Sequence, residues 1–241
     1  MPAITTIMAR DLSDAAAPAA LYRLLAWLSP AYPIGAFSYS SGIEWAVEAG
    51  DIADRTTLER WLGVVIADGG GFCDAVLLAH AHGAIAAGDD DLLRKAAELA
   101  VALAPSKERH LETTAQGAAF LDTTRAAWPC AALARLRAVW DGAVALPVAV
   151  GVAAAGHGLA LAPVLPGYLQ AMAANLISTA VRLVPLGQTD GQRVLAALEP
   201  VVAATAERAR ATALDEIGSA AIRADLASMR HETQYTRLFR S

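Results

Sequence analysis

The sequence predicts an all-α fold: a single-domain helical bundle of about nine to ten helices, with a flexible N-terminal arm over 1–17 and a C-terminal tail over 230–241. Apolar residues recur at three- and four-residue spacing in nearly every segment, and sustained strand alternation is absent. Hydrophobic residues make up 56% of the 241 positions against 18% charged. No linker, charge block or repeat divides a length that suits one sizeable core.

A first helix is expected over 18–28, with Leu21, Leu24, Leu25 and Leu28 on one face, stopping before Ser29-Pro30. A loop rich in breakers and aromatics, 31–40, follows it. Ser41 and Glu44 have capping-box spacing and open a helix ending at Gly50. Thr56 and Glu59 repeat the device ahead of Leu58, Trp61, Leu62 and Val65. Gly69-Gly70-Gly71 breaks the chain, and a helix over 74–87 ends at Gly88. Asp89 or Asp90 caps the next, which ends before Pro105. Ser106 caps a polar helix to about Ala127 that carries Lys107, Glu108, Arg109, Glu112, Gln116 and Arg125. Trp128-Pro129 ends it, and a short helix runs to Trp140.

From Gly142 to Val181 there is no Asp, Glu, Lys or Arg. Pro147, Pro163 and Pro166 cut this stretch, and His157, Gln170 and Asn175 dot it, so two enclosed helices over 147–160 and 166–184 are expected. Thr189 or Asp190 caps a long helix kinked at Pro200, and a last helix covers 215–229.

Composition excludes several classes. The apolar excess rules out overall disorder, and a net charge of −5 argues against a basic nucleic-acid-binding surface. Two cysteines, Cys73 and Cys130, read as buried thiols of a reducing cytosol. No secretory signal is expected, since Asp11 and Asp14 interrupt the start and no basic region leads into an apolar run. The mean hydropathy of +0.40 raises a membrane-associated reading. The Ala, Val and Gly content and the prolines of 142–181 point instead to a core or partner surface.

A search for chemistry finds little. There is no G-x-x-x-x-G-K-[ST] loop and no H-E-x-x-H. His80 and His82, at i and i+2, point about 200° apart on a helix and cannot easily share an ion. Cys73 lies seven residues before His80, a spacing compatible at most with a transient soft-metal contact. His110, His157 and His231 are scattered, and His157 reads as a hydrogen-bonded core residue. Ser38-Tyr39-Ser40-Ser41 lacks a G-x-S-x-G elbow. No catalytic residue, resident metal or cofactor is expected. Trp27, Trp45, Trp61, Trp128 and Trp140 read as core or interface anchors. The tail is the unusual feature: Tyr235, Leu238 and Phe239 interleave with Arg230, Arg237 and Arg240, residue types that dominate binding hot spots.

Four blocks of the sequence carry a resemblance. The first is Leu28-Ser29-Pro30 with Pro33-Ile34-Gly35-Ala36-Phe37-Ser38-Tyr39-Ser40-Ser41-Gly42-Ile43-Glu44. The second is the polar helix around Glu108, Arg109 and Gly117. The third joins 146–151 and 175–178 to Val181-Arg182-Leu183-Val184-Pro185-Leu186-Gly187-Gln188-Thr189-Asp190-Gly191-Gln192. The fourth is Met229-Arg230-His231-Glu232-Thr233-Gln234-Tyr235-Thr236-Arg237-Leu238-Phe239-Arg240-Ser241. Together they resemble the urease accessory protein UreF family over nearly the whole chain. Ile43 stands where that family usually has Leu, and 218–222 lacks a proline often found there.

The resemblance implies a cytoplasmic nickel-insertion chaperone, not an enzyme. It implies an all-α homodimer that binds UreD (UreH), recruits the nickel-carrying GTPase UreG to apo-urease, and takes neither nucleic acid nor membrane as partner. Nickel is cargo in transit through a tunnel, with no stored-metal site. Arg230, His231, Glu232, Tyr235, Arg237 and Arg240 are expected to shape the GTPase-recruiting surface. Ser38, Tyr39 and Glu44 are expected to order the N-terminal loop and face a partner, and Gln188, Asp190 and Arg193 to do likewise. The alternative is a GTPase-activating or GTPase-gating regulator of UreG that supplies an arginine in trans. Of the 19 basic residues, only Lys95 and Lys107 are lysine.

Overall fold

The computed structural model describes residues 18–241, and the regular structure among them is helical. The expected N-terminal arm, 1–17, lies outside the described residues. The helices are α1 (18–27), α2 (Ile43–Glu48), α3 (Arg55–Asp68), α4 (Gly70–Ala87), α5 (Asp90–Ala102) and α6 (Lys107–Ala127). They continue with α7 (Ala131–Val139), α8 (Leu146–Gly156), α9 (Leu161–Leu183), α10 (Gln188–Ala197), α11 (Glu199–Ala211) and α12 (Ile222–His231). Short 3-10 turns at Ala36–Ser38 and Leu214–Glu216 complete the set.

The uncharged stretch forms the centre. Pro147 through Ala154 of α8 are all buried, and α8 packs on α4, α6 and α7. A helix that is apolar on every side has to be enclosed. Gly151 sets the closeness of that packing, because a Cβ there would sit 2.5 Å from the Leu78 carbonyl oxygen of α4. Leu58, Leu62, Ile66, Leu93, Phe120, Leu121, Leu133 and Leu169 join α8 in one continuous apolar cluster. The run 55–87 and α9 are long and apolar enough to cross a membrane, but 56% and 50% of their most apolar windows are buried inside the fold.

Caps at Asp89 and Ser106 form as expected, each side chain accepting from the backbone three residues on. Other boundaries differ. Asp54, not Thr56, caps α3, in reciprocal hydrogen bonds with Thr57. No capping box joins Ser41 to Glu44: α2 starts after Gly42 with no side-chain cap, because both side chains are drawn to the tail and α6. The glycine run shortens to a one-residue break at Gly69, and α4 begins at Gly70, four residues before the expected start. α9 starts at Leu161, since Pro163 falls in the first turn, where no donor is needed; Pro166 is carried inside the helix. Neither Thr189 nor Asp190 caps α10, which opens after Gly187. The expected kink at Pro200 is a break at Leu198, with Pro200 in the first turn of α11. α12 is displaced toward the tail relative to 215–229.

Candidate docking site formed by the C-terminal tail

The loop between α1 and α2 is seated by one face of α9. Asn175, Thr179 and Arg182, four and three residues apart, share that face. They donate to the carbonyls of Ala36 (3.2 Å), Tyr39 (3.3 Å) and Phe37 (3.0 Å). The loop then passes directly against α12. Gly42 has φ +82°, and a Cβ there would lie 2.6 Å from the Ser228 amide nitrogen, so both conformation and space call for glycine.

Three carboxylates, Glu44 of α2 and Glu108 and Glu112 of α6, hold the tail onto this loop. His231 is fully buried between two of them: Nδ1 lies 2.7 Å from Glu108 and Nε2 lies 3.1 Å from Glu44. Glu44 also accepts from the backbone amides of Leu238 (2.7 Å) and Phe239 (3.0 Å). Arg237 donates to Glu108 at 2.7 Å, and the Arg240 amide donates to the Ser38 carbonyl at 2.8 Å. The Ser40 amide donates to the Ser241 carbonyl at 2.7 Å, and the Ser40 hydroxyl joins the same oxygen. Ser241 Oγ donates to Glu112 at 2.8 Å. Phe239 is buried beneath the Arg182 guanidinium, 4.4 Å from its ring centre. Charge-assisted hydrogen bonds of this kind are stronger than neutral ones.

The outer side of the tail is different. Tyr235 is fully exposed and Leu238 is 75% exposed, flanked by the exposed Arg230 and Arg240. Glu232 accepts from the Lys107 amide at the start of α6 (2.8 Å), which favours a negative charge.

Beneath the loop lies a cavity of about 280 Å³ with aromatic walls that include Trp27, Tyr32, Phe37 and Phe120. Trp27 Nε1 is buried there without a hydrogen-bond partner. Asp74, Arg109 and Glu112 supply the charged groups of its lining, and Tyr168 is one of its hydroxyls. Arg109 pairs with Glu112 at 2.6 Å and donates to Ser41 Oγ at 2.9 Å. The Tyr168 hydroxyl donates to Asp74 at 2.8 Å. Burial pushes the Asp74 carboxyl up to about 6, against the opposing pull of Arg109 and Tyr168. Burial opposes the Arg109 charge, yet Glu112 and Asp74 beside it leave its pKa above the ordinary arginine value. Burial, then Asp74, holds Tyr168 well above the usual phenol range. A second cavity of about 90 Å³ lies across Arg109 and includes Cys73, Asp225 and Ser228. Burial, then the charge of Asp74, pushes the Cys73 thiol up to about 12.

No group of three or more His, Cys, Asp or Glu side chains is arranged to hold a metal among the described residues. His80 and His82 diverge, to the carbonyls of Thr212 (3.0 Å) and Leu159 (2.8 Å), and His157 bonds the Trp128 carbonyl at 3.0 Å.

The structure thus brings Ser38, Tyr39 and Glu44 together with Arg230, His231, Glu232, Tyr235, Arg237 and Arg240. Gln188, Asp190 and Arg193 sit apart on α10, where Arg193 pairs with Asp190 at 2.9 Å and Gln188 is exposed. No hydrogen bond or ion pair joins these three to the tail among the described residues. Glu112, Ser40, Ser41, Asp74 and Ser241 also belong to the site, although none of them is among the site residues expected from the sequence. A signal was present for Glu112: polar residues at 108, 112 and 116 line one face of a helix in an otherwise apolar fold.

A family model described as UreF matches residues 52–199. Urease accessory protein UreF of Rhodopseudomonas palustris strain BisB18 is 61% identical over 228 residues, covering 95% of each chain. The protein of the same name in strain BisA53 is 62% identical over 95% of this chain and 96% of its own. That of Bradyrhizobium sp. strain ORS 278 is 62% identical over 92% of each.

Proposed function

Since the chain belongs to the UreF family of urease accessory proteins, we propose that it acts as a cytoplasmic, dimeric scaffold and nickel conduit in urease maturation. In this reading it binds UreD, the pair recruits the GTPase UreG to apo-urease, and nickel passes through as cargo. The observation that carries the proposal is the two-sided tail. Glu44, Glu108, Ser40 and Arg182 fasten its inner side, while Tyr235, Leu238, Arg230 and Arg240 face outward as a ready-made contact surface. Holding such side chains in place before contact lowers the ordering cost of binding. The two cavities beside Arg109 support a conduit role, because their acidic groups favour a cation without forming a tight metal cage.

The exposed Arg230 and Arg240 also support a second reading, in which the tail regulates GTP hydrolysis in trans. Size-exclusion chromatography with light scattering separates these ideas. The full chain is run alone, with UreD, and with UreD plus nickel- and GTP-loaded UreG, beside a chain truncated after Met229. A dimer that gains UreD, and gains UreG only when the tail is present, is the expected result. A full-length chain that joins neither partner overturns the scaffold reading. Unchanged single-turnover hydrolysis by UreG with Arg230→Ala and Arg240→Ala removes the regulatory one.

A further inference from the structure

The two cavities share four lining residues: Ser41, Asp74, Arg109 and Thr113. Arg109 is the longest of these side chains and the only cation. Its hold on the wall is short and specific, a 2.6 Å contact to Glu112 and a 2.9 Å hydrogen bond to Ser41 Oγ. Ser41 Oγ in turn donates to Glu112 at 3.0 Å. The same Glu112 carboxylate accepts from Ser241 Oγ at 2.8 Å. One buried carboxylate therefore ties the last turn of the tail to the partition between the cavities. A second tie runs through α12, where Ser228, on the wall of the smaller cavity, bonds Ser106 Oγ, the cap of α6, at 2.6 Å.

We propose that Arg109 is a gate between the two cavities and that the seated tail latches it shut through Ser241 and Glu112. Withdrawal of the tail takes one donor from Glu112 and loosens the carboxylate that anchors the guanidinium. Arg109 then leaves the partition, and the cavities join into one passage. Its departure also changes the charge of the wall. With Arg109 in place, Asp74 and Glu112 are offset by one cation; once it moves, two carboxylates face the passage. A passage lined that way passes a small hydrated divalent cation and disfavours anions. The partner that draws on the tail thereby opens the route. This inference rests on the conduit reading above and adds its control point.

The test uses the full chain assembled with UreD and nickel-loaded UreG. Leakage of Ni²⁺ from the assembly to a chromogenic chelator is followed in the absence of GTP. Ser241→Ala removes only the latch hydroxyl, and Arg109→Ala removes the gate. Each is expected to raise the leak about tenfold, the scale of one charge-assisted hydrogen bond. The double variant should leak no faster than Arg109→Ala alone, because both act on one element. Since Arg109→Ala removes a buried partner of Glu112, a second readout guards against a folding defect. In the ¹⁵N-arginine spectrum of the Ser241→Ala chain, the Arg109 Nε–H should exchange with water faster than in the wild type, while the other buried amides stay protected. Wild-type leakage and exchange in both single variants, in assemblies that form normally, overturn the gate. Failure of the wild-type assembly to form overturns the conduit reading and the gate with it.

Discussion

Glu44 takes hydrogen bonds from two tail amides and from the His231 ring while being only 6% exposed. Replacing it with Ala leaves those donors buried without an acceptor, at a cost of about 2–4 kcal/mol. Glu44→Ala should lower the melting temperature and let trypsin cut after Arg237 and Arg240 at concentrations that spare the wild type. An unchanged digestion pattern would mean that the tail is held by other contacts. Asp74 gives a pH signature. Its carboxyl titrates near 6 in the folded protein and near 3.8 when unfolded, so the folded form binds the proton more tightly. Its contribution to stability is fullest below about pH 4 and is lost as pH rises through 6. Asp74→Asn, which still accepts from Tyr168, removes that slope. Between pH 5 and 8 the variant should gain about 1.4 kcal/mol relative to the wild type. Parallel unfolding curves would contradict the shift. Glu44 and His231 were both legible as candidates, each from its own local motif. That they bond to each other across 187 positions was not, because periodicity reports which face is apolar and says nothing of distant pairing.

Helices were the most legible level. The caps at Asp89 and Ser106 are short polar side chains placed just before a helical segment, and both form. The starts of α2 and α10 differ from the expected ones: Ser41, Glu44 and Asp190 are engaged in other hydrogen bonds or ion pairs, and a glycine opens each helix instead. The α8 stretch was expected to be enclosed from its lack of charge, and it is. Its tolerance is narrow. Gly151→Leu would drive a side chain into the Leu78 backbone, and the stability loss should be about 3 kcal/mol or more, measured by urea unfolding. A loss below about 1 kcal/mol would show that α4 and α8 can separate without penalty.

Over the whole molecule, charge is unevenly spent. The chain carries a net −5, yet its tail presents Arg230 and Arg240 outward while Glu44, Glu108 and Glu112 stay inside. A partner docking through those exposed cations should bind more weakly as salt rises, mainly through a slower association rate. Binding measured at about 50 and 300 mM salt should lose its salt dependence in the Arg230→Ala/Arg240→Ala chain; a slope retained in that chain would place the contact elsewhere. The all-α architecture could be read before any coordinates, from spacing alone. The cavities could not, because they arise where loop, α4, α6 and α9 meet, and no single segment encodes that meeting.

The bond between Ser40 and Ser241 also has a consequence in time. It joins positions 201 residues apart, and on a ribosome residue 40 emerges long before residue 241 has been added. Helices α3 to α9 can consolidate while synthesis continues, but the loop at 31–42 has no tail to close on until residue 241 has been added. A nascent or interrupted chain therefore leaves Glu44, Glu108 and Glu112 without their tail partners. The closed clasp marks a chain that has been made through to residue 241, and any protein that reads its outer face meets only chains synthesised that far.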